Sequence, residues 1–456
     1  MVRLANQIVN IPPEAQPSHS SSFDPSLRAV TTTPNLPQYP PDASTVIPTV
    51  QVDLDEPAEQ RWVKALAPRK AEIARLVYAV IVRSSQLSAH HIHPHKHPNT
   101  DPSYPALPTL SHWQDQLPFS RAGPASLLPA QDQLPFSRIN STVIRLLLAA
   151  GAEKEMARFP PDYAAEIRGV AAATGVPLGF IFVLNVAYEL IGLCTSIVAQ
   201  DAAGNVWHGR NLDFGIFMGT DPQHHTWALT QPLRDALVNV EFRRGGRPLF
   251  NATTYAGFVG VHSGMRSGAF SLTIDTRYDD SVDAGLIEFL LGKSGGREFI
   301  AFATRRALET NATYAAALDA LTMYRPMGPG YIILGGANSG EGAVITKQFS
   351  GKDAKPPTKD VWKLSEVLAN GSFYLAQTNY DRTGPPPAFD DRRYPVQNCL
   401  DDGGQASVTK AGLFQIMSAN PTRNALTTFT TLMSAGLGVF EAYTQRCDPS
   451  PHCAPF

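Results

Sequence analysis

The stretch CTSIVAQDAAGNVWHGRNLDF, residues 194–214, constrains the fold more than any other part of the chain. Two strand-like runs, CTSIVAQD and NVWHGRNLDF, flank the turn residues AAG, a pattern that predicts an antiparallel hairpin. The same grammar repeats downstream: ALVNVEF and PLFNATTYAGFVGV flank RRGG, and AFSLTIDTRY adds a further strand. Helical spacing returns in AGLIEFLLG, REFIAFATRRALETN and TYAAALDALTM. Strands GYIILGG, GAVITKQ and FYLAQTNYD then lead to a helix, KAGLFQIMS, and a late strand, LTTFTTLMS. Blocks of antiparallel strands alternating with blocks of helices predict an α+β layered sandwich rather than a doubly wound parallel sheet.

The N-terminal portion reads differently. Residues 1–48 are rich in proline, serine and threonine without hydrophobic periodicity, as expected of a disordered leader. PTVQVDL predicts a short strand, and AEQRWVKALAPRKAEIARLVYAVIV a helix. STVIRLLLAAGAEKEMARF and DYAAEIRGVAAATG predict two more helices. Between them, residues 83–138 hold five histidines from His90 to His97 and two copies of QDQLPFSR, at 114–121 and 131–138. The prolines there favour a low-complexity insert over a metal site or a solenoid. The most apolar run, VPLGFIFVLNVAYELIGLC, contains Pro177, Asn185 and Glu189, so it is expected to be buried core rather than a membrane span. The division expected is a leader at 1–48, a helical portion at 49–193 and a strand-rich portion at 194–456.

Charge narrows the function classes. Lysine plus arginine number 38 against 40 acidic residues, so no field exists to attract nucleic acid, and a substrate must be recognised by shape and apolar contact. None of the four cysteines precedes Cys194, which excludes a disulfide scaffold. Cys447 and Cys453, in RCDPSPHC, suit a local bridge; with only His452 nearby, they do not suit zinc. The N-terminus lacks the apolar core of a secretory signal, whereas Asn140, Asn251, Asn311 and Asn370 are glycosylation sequons.

A lone cysteine is ordinarily a small buried hydrophobe. Here the hairpin would return Arg210 and Asp213 to the level of Cys194, at one end of a sheet. Strand alternation puts those two on opposite faces, so a bend or stop is expected near Leu212, where Gly215 follows.

CTSIVAQD…GNVWHGRNLDFG resembles the cleavage-site region of the family that contains acid ceramidases and N-acylethanolamine-hydrolysing acid amidases. QTNYDR, DDRR, GYIILGG with GEGAVITK, VQVDLDEPAEQRW and EIRGVAAATGVPLG resemble the same family. The resemblance implies an N-terminal nucleophile hydrolase of four-layer αββα architecture. It implies a precursor that cuts itself between Leu193 and Cys194, giving an α/β heterodimer whose β-subunit-like part, 194–456, is catalytic. Cys194 would be the nucleophile, Arg210 and Asp213 would hold the thiol and the new amine, Asn379 would stabilise the oxyanion and Arg392 would complete the polar ring. Neither cofactor nor metal is implied.

Within the family, LDFGIFMG, IEFLLGK and FEAYTQRC resemble the ceramidases, which implies hydrolysis of ceramide to a fatty acid and sphingosine. Alternatives are an N-acylethanolamine-hydrolysing acid amidase, or a non-catalytic lipid-binding relative. A lipid-presenting helper protein and a lysosomal or acidic vacuolar lumen are also implied, although no signal peptide is visible. An α-amine of ordinary pKa, about 7.7 to 8.0, is a poor base in acid, so Arg210 and desolvation are expected to lower it and to favour the Cys194 thiolate. Phe214, Ile216, Phe217 and Met218 are expected either to meet acyl chains or to enter the core. Two departures stand out. Thr276 occupies the position of a family glutamate, and Cys399 finds no cysteine in residues 1–193, so the fragments are expected to stay together by packing alone.

Overall fold

The computed structural model describes residues 37–89, 152–186, 192–215, 220–221, 226–279, 282–349 and 360–447. The histidine run, the repeat, Asn140, Ile216 to Met218 and Cys453 lie outside them. In chain order the strands are β1 Thr49–Asp53, β2 Leu193–Gln200, β3 Val206–Asp213, β4 Thr220–Asp221, β5 Thr226–Trp227, β6 Leu237–Arg244, β7 Arg247–Tyr255 and β8 Ser263–Arg266. They continue with β9 Phe270–Thr276, β10 Gly330–Gly336, β11 Gly342–Lys347, β12 Val361–Lys363, β13 Tyr374–Gln377, β14 Thr427–Ser434 and β15 Val439–Thr444.

An eight-stranded sheet runs β1-β6-β7-β8-β9-β10-β11-β12, and a five-stranded sheet runs β13-β2-β3-β14-β15. They face each other through β2 and β3 on one side and β9 and β10 on the other. Helices Ile300–Thr310 and Tyr314–Met323 cover the outer face of the larger sheet. Helices Arg393–Gly403 and Lys410–Ser418 cover the smaller. The chain is therefore an α+β sandwich of four layers, helix–sheet–sheet–helix. Sandwiched on both faces, β3, β9, β10, β11 and β14 are buried along their whole length.

The expected hairpin is present. Asp201 fixes its turn by accepting from the backbone N–H of Ala203 at 2.9 Å and of Asn205 at 2.8 Å, while Gly204 takes φ of 90°. The expected N-terminal helix is divided: Val63–Leu66 passes through a 3₁₀ turn at Ala67–Arg69, where Pro68 has no N–H to continue the ladder. Its second part, Lys70–Ala89, runs on beyond the point where the insert was expected to begin. Helix Pro161–Thr174 starts on a proline and ends on Gly175 with φ of 77°. Asn185, on helix Leu178–Val186, donates to Ile181 O at 2.8 Å and Gly257 O at 3.0 Å and accepts from Val259 N at 2.8 Å. Its polarity thus serves a contact inside the protein.

The residues before and after Cys194 are joined by more than packing, contrary to expectation. Strand β1 pairs in parallel with β6, Thr49 opposite Asn239 through Asp53 opposite Arg243. Glu166 lies fully buried against Arg305, with Nη1 to Oε2 at 2.5 Å and Nη2 to Oε1 at 2.7 Å. Trp62 Nε1 donates to the same carboxylate at 2.6 Å, and Arg61 Nη1 at 2.9 Å. The guanidinium of Arg305 also lies 4.7 Å from the Tyr163 ring centroid and 4.9 Å from that of Phe242.

A buried charge deprived of its partner costs about 3–5 kcal/mol. Urea unfolding of Arg305→Met should therefore show a loss of that order, and adding Glu166→Gln should recover part of it.

Candidate active site

Register decides which groups meet. Leu193 lies opposite Asp213, Cys194 opposite Leu212, and Ser196 opposite Arg210. Strand β3 stops at Asp213, one residue past Leu212, and its pairing with β14 shifts register at that point, as the expected bend or stop requires; Gly215 follows with φ of 120°. Both faces are used. On the face between the sheets, Arg210 Nη2 donates to Cys194 Sγ at 3.0 Å and to Ile274 O at 2.9 Å. Arg210 Nη1 donates to Ser263 Oγ at 2.7 Å, and the guanidinium lies 5.6 Å from the Phe429 ring centroid. On the opposite face, Asp213 accepts from Arg392 Nη1 at 3.2 Å and from Asn424 Nδ2 at 3.1 Å.

Asn379 arrives from a third strand. Strand β13 flanks β2 with Gln377 opposite Ser196, and the chain leaves it to bring Asn379 beside Cys194. The amide of Asn379 brackets Leu193 and so reaches the nitrogen of the Leu193–Cys194 bond. Its Nδ2 donates to Gly192 O at 2.8 Å and its Oδ1 accepts from Cys194 N at 2.7 Å. A further Nδ2 bond, to Thr276 O at 2.7 Å, fixes the orientation of the side chain.

Arg392, at the start of helix Arg393–Gly403, joins the remaining parts. Its Nη1 donates to Cys194 O and its Nη2 to Asn379 Oδ1, each at 2.7 Å. Asp390 clamps it through two bonds, from Nε at 2.6 Å and Nη2 at 2.7 Å, and also accepts from Tyr278 OH at 2.8 Å. The five residues expected from the sequence thus assemble around one peptide bond, with one adjustment: Asp213 reaches Cys194 through Arg392. Thr276, where the family glutamate was missed, accepts from Gly192 N through Oγ1 at 3.1 Å and so holds the residue before Leu193.

Asp390, Asn424 and Ser263 were not singled out from the sequence. Asp390 opens the DDRR run, so a signal existed for it; Asn424 and Ser263 sit in unremarkable context and offered none. Phe214 is buried, with its ring 6.1 Å from that of Tyr255, and so belongs to the core. Cys447 is disulfide-bonded and Cys399 is free. Among the described residues, no group of three or more His, Cys, Asp or Glu side chains could hold a metal ion, and no helix is long and apolar enough to cross a membrane. Of the sequons, Asn370 is exposed after helix Leu364–Ala369, whereas Asn251 and Asn311 are partly buried.

Facing sheets between helical layers, with a cysteine at the head of an inner strand and an arginine on its sulfur, define a cysteine-type N-terminal nucleophile hydrolase. Its relatives make the assignment narrower. The chain is 39% identical over 297 residues to acid ceramidase of Homo sapiens, covering 65% of this chain and 73% of that one. It is 35% identical over 346 residues to acid ceramidase of Rattus norvegicus, covering 76% and 85% respectively. The chain belongs to the acid ceramidase family. A solved N-acylethanolamine-hydrolyzing acid amidase ortholog of Caenorhabditis elegans has 31% identity and a TM-score of 0.46, covering 55% of this chain and 100% of its own. No protein-family model matches.

Burial raises the Asp213 carboxyl to about 6, against the opposing pull of the Arg392 charge. A carboxyl raised on folding binds its proton more tightly in the native state than in the unfolded one. Its stabilisation is therefore full below about pH 4 and is lost as pH rises through about 6. Urea midpoints of Cys194→Ala chain should include this decline between those limits, at most about 1.4 kcal/mol per pH unit. Adding Asp213→Asn should flatten the slope.

Proposed function

We propose that this chain is a ceramide-hydrolysing amidase that first cuts its own backbone between Leu193 and Cys194, giving an α-subunit-like piece through 193 and a catalytic piece, 194–456. The reading is carried by the Asn379 amide, which bonds to Cys194 N of that peptide bond and to Gly192 O of the one before it, while Arg210 donates to the adjacent sulfur.

In self-cleavage, the Cys194 thiolate adds to the Leu193 carbonyl carbon. The C–N bond breaks, the nitrogen takes the thiol proton, and the chain is joined through a thioester. Water then cleaves the thioester, releasing a Leu193 carboxylate and restoring the thiol. Cys194 N becomes a free α-amine within reach of Asn379 Oδ1, and Asn379 Nδ2 loses Gly192 O as acceptor. That N–H is then directed at the position where a substrate carbonyl oxygen acquires charge.

In turnover the α-amine takes the thiol proton and the sulfur adds to the amide carbon of N-acylsphingosine. Asn379 stabilises the oxyanion, and the α-ammonium returns the proton to the departing sphingosine nitrogen. Water hydrolyses the acyl-thioester to release the fatty acid. Arg210 stabilises the charge on sulfur from the side opposite to Asp213. Arg392 holds Cys194 O and Asn379, with Asp390 and Asp213 balancing its charge. An acidic lumen, lysosomal or vacuolar, fits this assignment, and a helper protein would serve to present the lipid.

On a denaturing gel, parent enzyme should give two pieces divided before Cys194, and Cys194→Ala a single one. Under native conditions the two pieces should elute together, held by β1–β6 pairing and the Glu166–Arg305 pair. Asn379→Ala should reduce turnover of an N-acylsphingosine on the order of a hundredfold or more, the cost of one oxyanion donor worth about 2.7–4 kcal/mol. In processed Arg210→Ala enzyme the basic limb of the pH–rate profile should move; an unchanged limb would remove Arg210 from thiol and amine activation. An N-acylethanolamide assayed in parallel separates the two substrate classes.

A further inference from the structure

Beside Cys194, between the sheets, lies a row of buried polar side chains that the proposed hydrolysis leaves unused. It ends at Gly335 O, which as a carbonyl only accepts. Ser271 Oγ donates to that oxygen at 3.2 Å and lies 3.0 Å from His208 Nδ1. His208 Nε2 lies 3.0 Å from Thr273 Oγ1, which is 2.9 Å from Ser196 Oγ. Ser196 Oγ in turn lies 3.0 Å from Asp275 Oδ1.

Each hydroxyl carries one proton, so fixing one end of the row fixes its sense. With the Ser271 proton on Gly335 O, the proton of His208 must sit on Nδ1. Burial and the Arg210 charge keep that imidazole neutral, lowering it to about 3, so Nε2 accepts from Thr273. Thr273 then accepts from Ser196, and the proton between Ser196 and Asp275 must come from Asp275. The other carboxyl oxygen agrees: Asp275 Oδ2 is buried without a hydrogen-bond partner. That is a modest cost for the carbonyl of a neutral acid and a large one for a carboxylate.

We propose that Asp275 is a positioning residue that works as a neutral acid, donating to Ser196 and leaving the charge of Arg210 to the Cys194 sulfur. This rests on Cys194 being the nucleophile. Removal of the Asp275 proton reverses the row: Ser196 donates to Asp275, Thr273 to Ser196, His208 Nε2–H to Thr273 and Ser271 to His208 Nδ1. The new anion then competes with the sulfur for Arg210, whose Nη2 already bonds to the carbonyl of Ile274, the residue before Asp275. The effect is a decline in activity as pH rises, set by a residue that touches no substrate.

The charged and titratable groups around Asp275 are consistent with this assignment. Cys194 lies on β2, and His208 and Arg210 lie on β3. Tyr331, opposite Asp275 on β10, donates to Asp381 at 2.6 Å. His262, before β8, is kept neutral by burial and by Arg210. Asp213 and Arg392 act from the far face of the hairpin, and Arg305, on the helix behind β9, is tied to Glu166. Burial outweighs Arg210 and the Ser196 bond and raises Asp275 to about 7.

Asp275→Asn keeps a donor toward Ser196 and cannot ionise, so it tests the assignment. Hydrolysis of an N-acylsphingosine by processed parent and variant should show the basic limb of kcat/KM in Asp275→Asn displaced upward by about one pH unit or more. Infrared difference spectra of full-length Cys194→Ala protein, with aspartate carbon-labelled, should show a carboxylic acid carbonyl stretch that is lost as pH rises through about 7 and is absent after Asp275→Asn. An unmoved limb, or loss of turnover at acid pH in Asp275→Asn with processing intact, overturns the proposal, as does absence of that band from the parent. Should Asp275→Asn fail to fold, the labelled band in full-length Cys194→Ala protein that also carries Asp213→Asn, and so lacks the other raised buried carboxyl, decides alone. If neither protein hydrolyses any amide, the amidase reading fails, and the band still reports whether Asp275 is neutral.

Discussion

The backbone pairing of β2 with β3 underlies everything else at the site. By setting Leu193 against Asp213 and Cys194 against Leu212, it directs the sulfur into the space between the sheets and leaves the peptide groups around it to be gripped from the edge. A shift of one residue would turn Cys194 toward the covering helices and Arg210 away from it. The turn at Asp201, with four hydrogen bonds to its carboxylate, is therefore as much a part of the site as any reacting group.

A second constraint is electrostatic. Among the described residues three arginines are fully buried, Arg210, Arg305 and Arg392, a costly arrangement unless each is matched. Arg392 is matched by Asp390 and Asp213, and Arg305 by Glu166. Arg210 is matched mainly by neutral acceptors and by sulfur, among the partners described above. The difference fits the proposed chemistry: two arginines hold parts of the protein in place, and the third faces the sulfur proposed as nucleophile.

Much of this was legible in the chain. The hairpin, the alternation of strand and helix blocks and the five polar residues follow from period, turn chemistry and motif resemblance. What escaped has physical reasons. The short strands β8 and β12, of four and three residues, carry too little pattern to announce themselves. Helix Arg393–Gly403 has Pro395 in its first turn and few apolar residues. Alternation correctly placed Arg210 and Asp213 on opposite faces, and the strand stops near Leu212 as expected, yet the stop does not bring both onto the same atom. Arg392 links Asp213 to Cys194 instead. The bonds across the Cys194 division were hidden too, because a parallel pairing of β1 with β6 joins segments far apart in sequence.

That parallel pairing bears on the order of events in the life of the protein. β1 is synthesised early, but its partner appears only after the bond before Cys194 has been made. An intact chain confines the two strands to one small volume, so their meeting is a loop closure. Separated pieces would instead have to find each other by diffusion, at whatever concentration the compartment allows. The peptide bond before Cys194 thus has a task before any scission: it is the tether that allows the larger sheet to gain its outermost strand.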